Sequence, residues 1–229
     1  MNYILNYTRE MGYTIFVIRT FSKLSKNIFG KIDIGFYDGM IFLNLKNYNE
    51  VDETIKIHLP VIISGIRDKY TYVGTDQYKS SYISTKTLIE NKCKKIYILL
   101  DDKSTTTINE KYRGYIQALK DHNMEINNEY ILFGYSPGEQ VENFLIDQFK
   151  QNDLTDGVII NSDYTTLGAI RFINKYSIKC PDDIQFISFG NNMICDKIYP
   201  KISSMKQKFD IIAKELVNVI ISMIEKNNI

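Results

Sequence analysis

The sequence predicts an α/β fold built from parallel sheets flanked by helices. Short β-branched apolar runs alternate with amphipathic stretches along the chain, the pattern of βαβ units. Runs such as Tyr97–Leu100 (YILL) and Val158–Asn161 (VIIN) carry almost no alternation, as strands covered on both faces by helices do. Two later runs each end in small polar residues, Ser162-Asp163 and Gly190-Asn191-Asn192. Open parallel sheets bind ligands just beyond the carboxyl ends of their strands, so 157–207 reads as half of a small-molecule crevice.

Each element follows in order. Tyr13–Arg19 (YTIFVIR), Gly39–Leu43, Pro60–Ser64 and Tyr72–Thr75 are expected as strands; a proline is allowed where the third begins. Gln77–Asn91 is a helix after an Asp76 cap. Lys95–Leu100 is a strand, Thr107–His122 a helix, and Glu129–Phe133 a strand. Pro137, favoured at a first helical position, opens a helix to about Gln151. Val158–Asn161 and Ile184–Ser188 are strands on either side of a helix over Asp163–Tyr176. A closing helix spans Phe209–Lys226, its buried stripe expected at Ile211, Ile212, Leu216, Val217, Ile220 and Met223.

Composition narrows the function classes. With 229 residues there is room for one large domain or two lobes. A net charge of +1 gives no overall pull toward nucleic acid or anionic lipid. No apolar run reaches membrane-spanning length, and Arg9-Glu10 interrupts any export signal, so a cytoplasmic location and no membrane partner are expected. Cys93, Cys180, Cys195, His58 and His122 are too scattered for a ligand set, so no metal and no cofactor are expected. Asp101-Asp102 ends a strand, but no partners in defined roles accompany it. No GxSxG, P-loop or GxGxxG is present, so no enzyme and no catalytic residues are expected.

The ordered motifs carry a resemblance. Val73-Gly74-Thr75-Asp76-Gln77-Tyr78 is followed by Leu88-Ile89-Glu90 and Lys95-Ile96. Glu110–Tyr115 (EKYRGY) comes next with Ala118-Leu119, then Ser162-Asp163 with Leu167-Gly168-Ala169. Pro181–Ile184 (PDDI) and Tyr199-Pro200 with Ser203, Ser204 and Gln207 complete the series. Together they resemble the effector-binding domain of the lactose-repressor (LacI/GalR) family of transcriptional regulators, across nearly the whole chain.

The resemblance implies a two-lobed, periplasmic-binding-protein-like fold of type I. One lobe would be residues 1–92 plus 207–229, the other 93–206. A small effector, by default a sugar, would bind between them and shift the population of a hinge. It also implies a homodimer coupled to DNA through an N-terminal helix-turn-helix that this sequence lacks. The family's first strand and its closing strand are missing too, which reads as truncation at both ends. A solute-binding protein of a sugar transporter and a remnant without ligand are the other readings.

Residue by residue, the resemblance implies ligand contacts at Asp76, Thr107, Lys111, Ser162, Asp163, Gly190, Asn191 and Gln207. Lys111 stands where the family has an arginine, so a charge is kept and a bidentate fork lost; the alternative is a solvated helix lysine. Thr107, one turn earlier, is a contact or a helix cap, with Thr106 as the other capping candidate. Asp163 and Asp76 each precede an apolar periodic run, where the capping reading leads over a ligand contact. Gly190 replaces the family's aspartate, leaving Asn191 or Asn192 as neutral substitutes, or simply makes a turn. Gln207 is a contact or a hinge hydrogen bond. Tyr48, Tyr135 and Tyr164 are candidate ring-stacking walls or packing residues.

Overall fold

The computed structural model describes residues 1–18, 34–43, 51, 55, 58–65, 69–103, 105–135, 137–190 and 199–227. The chain forms two compact units, Met1–Thr75 with Lys208–Ile229, and Asp76–Gln207.

The first unit holds α1 (Asn2–Glu10), the strands β1 (Met40–Leu43), β2 (Val61–Ser64) and β3 (Tyr72–Val73), and the closing helix α6 (Phe209–Asn227). Its strands pair in the order β1-β2-β3, all parallel. The buried face of α6 carries Ala213, Leu216, Val217, Ile220, Ile221 and Ile224, packed with Ile62 of β2 and Ile4 of α1. That spacing keeps to the 3.6-residue period, but the phase differs from the sequence reading. Ile211 is exposed and Met223 only half-buried, because the stripe starts at the small Ala213. The expected strand at Tyr13–Arg19 does not form over Tyr13–Ile18; Phe16, Val17 and Ile18 are exposed there. Among the described residues no strand pairs with this run, and β-propensity alone does not make one.

The second unit is a three-layer α/β/α sandwich. Its elements are α2 (Gln77–Glu90), β4 (Ile96–Leu99), α3 (Thr106–Asp121), β5 (Ile131–Leu132), α4 (Gly138–Lys150), β6 (Gly157–Ile160), α5 (Asp163–Tyr176), β7 (Gln185–Gly190) and β8 (Ser203–Lys206). The sheet order is β5-β4-β6-β7-β8, every pair parallel. Because β4 and β6 are central, both their faces are covered, and all their residues are buried. Alternate residues feed two cores. Tyr97, Leu99, Val158, Ile160 and Phe186 face Leu145 of α4 and Phe172 of α5. Ile96, Ile98, Ile159, Ile187 and Phe189 face Leu88 of α2 and Tyr115 of α3.

Two glycines permit the close helix pairs. A side chain at Gly114 of α3 would overlap the Tyr78 carbonyl of α2. One at Gly168 of α5 would overlap the Gly138 carbonyl at the start of α4. The packing of α2 on α3 places α2 in the second unit, whereas the sequence reading put residues 77–92 with the first. By their contacts the compact units divide at Thr75/Asp76 and Gln207/Lys208; the lobes that the resemblance implies divide at 92/93 and 206/207.

β8 was not expected. Its sequence, Ser-Ser-Met-Lys, lacks an apolar run, but an edge strand needs only backbone pairing on one side, and β7 supplies it. The expected Glu129–Phe133 strand shortens to Ile131–Leu132 after a 3-10 turn at Asn128–Tyr130. Pro137 is the residue before the helix and Gly138 its first member, one position later than expected.

Candidate functional site

All strands of the second sheet run the same way, so their carboxyl ends share one edge. Leu100-Asp101 follows β4, Asn161-Ser162 follows β6, Gly190 ends β7, and Gln207 follows β8. Among the eight expected contacts, Asn191 lies outside the described residues, as does Asn192. The other seven all fall in the second unit.

On the α3 face, Lys111 turns inward. It is buried, which excludes the solvated-lysine alternative. Its Nζ donates to Asn161 Oδ1 at 2.9 Å and to the Asn161 carbonyl at 3.1 Å. The same nitrogen stands 4.1 Å from the centre of the Phe189 ring, a cation–π contact. Burial pulls the Lys111 pKa down to about 7, against the opposing pull of the Asp101 and Asp163 carboxylates. The sequence brought Lys111 to notice but not Asn161, which reads there as the last residue of a strand. Its signal was available: a polar side chain terminating an otherwise apolar run.

Thr107 is half-buried in the first turn of α3, on the same helical face as Lys111. It is not the cap, and neither is Thr106. Thr105 takes that role, its Oγ1 accepting from the Ile108 N–H at 3.3 Å.

On the opposite face stands a buried carboxylate. Ser162 is the cap of α5, accepting from the Thr165 N–H at 3.3 Å and sharing a 2.7 Å hydrogen bond with the Thr165 hydroxyl. That displaces Asp163 from the capping role the sequence suggested. Asp163 is the first helical residue instead, wholly buried, and its Oδ1 accepts from Ser188 Oγ of β7 at 2.7 Å and Ser204 Oγ of β8 at 3.1 Å. A buried anion is tolerable when hydrogen bonds replace its hydration, and a carboxylate at a helix N-terminus also gains from the helix dipole.

Gly190 has φ +132°, a conformation that favours glycine, which fits the turn reading. Its carbonyl accepts from the Gln207 N–H at 3.3 Å, tying the ends of β7 and β8 together. Asp76 caps α2, its Oδ1 accepting from the Lys79 N–H at 2.8 Å. Tyr164 is exposed in the first turn of α5, whereas Tyr135 packs edge-on against Phe144 and belongs to the core margin. Tyr48 lies outside the described residues. Among the described residues no cluster of three or more His, Cys, Asp or Glu could hold a metal ion. No helix among them is long and apolar enough to cross a membrane.

The class this fold and strand-end site define is that of two-unit α/β binding domains. The comparisons narrow it. Residues 85–229 match the model of the periplasmic binding protein-like domain, and the chain belongs to that family, in the form found in LacI-type regulators. It is 29% identical over 239 residues to the HTH-type transcriptional regulator MalR of Clostridium butyricum, covering 97% of this chain and 70% of that protein. It is 28% identical over 154 residues to the HTH-type transcriptional repressor PurR of Histophilus somni, covering 67% of this chain and 46% of that one. The chain thus spans about half the length of the two Histophilus somni PurR proteins it matches. Among solved structures, the transcription regulator CcpA of Lactococcus lactis superposes with a TM-score of 0.86 at 18% identity, covering 98% of this chain and 84% of that one. A complex of the transcriptional regulator CelR with cellobiose does so at 0.86 and 19%, covering 98% and 71%. These likenesses support the α/β fold with parallel sheets.

Proposed function

We propose that this chain is the effector-sensing part of a LacI-type transcriptional regulator. It binds a small polar molecule, by default a sugar, at the carboxyl ends of β4, β6 and β7. Binding biases a conformational equilibrium, and a helix-turn-helix head in a cytoplasmic homodimer reads the result as a change in DNA affinity. Asp76, Thr107, Lys111, Ser162, Asp163, Gly190, Asn191 and Gln207 are the contacts the resemblance implies. Asp163 is engaged by Ser188 and Ser204 and supports the site from behind.

One observation carries the reading. Lys111, Asn161, Ser162, Asp163, Ser188 and Ser204 gather toward the edge where the parallel sheet presents its strand ends. The names of the relatives support the regulatory role, and the cellobiose complex of a structural neighbour supports a sugar as the default.

Thermal unfolding of the full chain in the presence of sugars tests this. A sugar at 100 times its Kd stabilises by about 2.7 kcal/mol, which raises Tm by roughly 5–10 °C for a chain of this size. An unchanged Tm across a broad panel of sugars, nucleosides and phosphosugars would refute it.

A further inference from the structure

Asn161 occupies the strand end between Ile160 and the Ser162 cap and is half-buried. Its amide has a defined polarity. Lys111 offers donors only, so the oxygen it meets at 2.9 Å must be Oδ1, and Nδ2 points the other way. The backbone N–H of Asn161 is satisfied by the Leu99 carbonyl at 3.0 Å. No protein acceptor for Nδ2 occurs among the described residues. A rigid amide donor therefore stands at the carboxyl end of a central strand.

The Lys111 ammonium and the Asp163 carboxylate are both engaged within the protein. Lys111 is 4% exposed, with its ammonium engaged by two Asn161 oxygens and the Phe189 ring. The Asp163 carboxylate is fully buried under two serine hydroxyls. Gly190 contributes only backbone. Asp101, half-buried after β4, adds a carboxylate that accepts from ligand hydroxyls and disfavours an anionic ligand.

We propose that Asn161, held in place by Lys111, is a specificity-determining contact whose Nδ2–H group donates to an oxygen of a neutral, hydroxyl-bearing effector. Lys111 is then a positioning residue that acts through the amide. This rests on the effector-binding reading above and assigns the contact to a residue that reading does not include. It also gives the replacement of a forked guanidinium by an ammonium a consequence: the cation serves the protein's own amide.

Calorimetric titration of the full chain with cellobiose, D-glucose, D-ribose and inorganic phosphate tests it, at pH 6.5. A neutral sugar should bind the wild type. Asn161→Asp keeps the shape and the Lys111 contact but exchanges the outward donor for an acceptor, and should weaken that sugar about 5- to 10-fold. Asn161→Ala should weaken it as much. Lys111→Met should weaken it in the wild-type background and add nothing in the Asn161→Ala background, a coupling that a purely structural role would not produce. Thermal unfolding of each variant checks folding. Binding by both Asn161 variants within two-fold of wild type overturns the inference while leaving the effector-binding reading intact. Preference for phosphate over every neutral sugar also overturns it. If none of these probes binds, the neutral sugar that raises Tm in the broad panel above replaces them, and no binding across that panel removes the reading itself and the inference with it.

Discussion

Two buried charges flank the carboxyl edge of the second sheet, one on each face. On the α5 face Asp163 gathers hydroxyls from β7 and β8, so three elements converge on one carboxylate. On the α3 face Lys111 reaches a single residue, Asn161, and a ring. The first arrangement ties elements of the fold to one another, α5 to β7 and β8. The second is open, because the amide that receives the cation still carries a donor directed elsewhere. Equal burial does not imply equal role, and the partner's remaining capacity tells a brace from a contact.

Breaking the brace should have the largest effect. Asp163→Ala removes a charged acceptor and leaves the Ser188 hydroxyl buried without it, at a cost of about 3 kcal/mol. Urea unfolding should show a lower midpoint with an unchanged slope. A loss below 1 kcal/mol would place Asp163 among the dispensable groups.

The Lys111 side responds to pH. Its folded pKa is about 7, well under the ordinary lysine value of 10.5. Between those values the unfolded chain binds the proton and the folded chain does not, so stability rises with pH across that window. Below pH 7 both states are protonated and the burial penalty is at its full size. Lys111→Met carries no such dependence. Relative to that variant, the wild type should gain on the order of 2 kcal/mol between pH 7 and 9, measured by parallel unfolding curves. The Asp101 and Asp163 carboxylates oppose the shift, so a flat difference would mean that they hold the ammonium charged throughout.

The smallest effect should come from Ser204→Ala. Its hydroxyl is the longer of the two serine contacts to Asp163, on a half-buried residue of an edge strand. A loss of about 0.5–1 kcal/mol is expected in the same urea assay. A loss matching that of Asp163→Ala would show that the brace depends on β8 more than on β7.

The sequence made the central architecture legible because double burial leaves a plain mark. β4 and β6 read as continuous apolar runs, and α5 matches its predicted span of Asp163–Tyr176. Legibility failed where tertiary context decides. β8 is polar and exists because β7 offers it a ladder. The run at Tyr13–Ile18 has the composition of a strand but pairs with no strand among the described residues. Within the site, the strand-end location was readable. The direction of each side chain was not, since Lys111 could equally have faced water and Asp163 could have capped its helix. Asn161 is not legible in the sequence because its importance lies in which atom of its amide is occupied.

Gly114 has a mechanical consequence. With no side chain between them, α2 and α3 touch backbone to backbone at Tyr78, two residues past the Asp76 cap. Lys111 lies one turn before Gly114 on α3. A displacement of α3 at its lysine therefore has no soft layer to absorb it before it reaches α2. Any side chain added at Gly114 would have to push α2 away from α3 at that point.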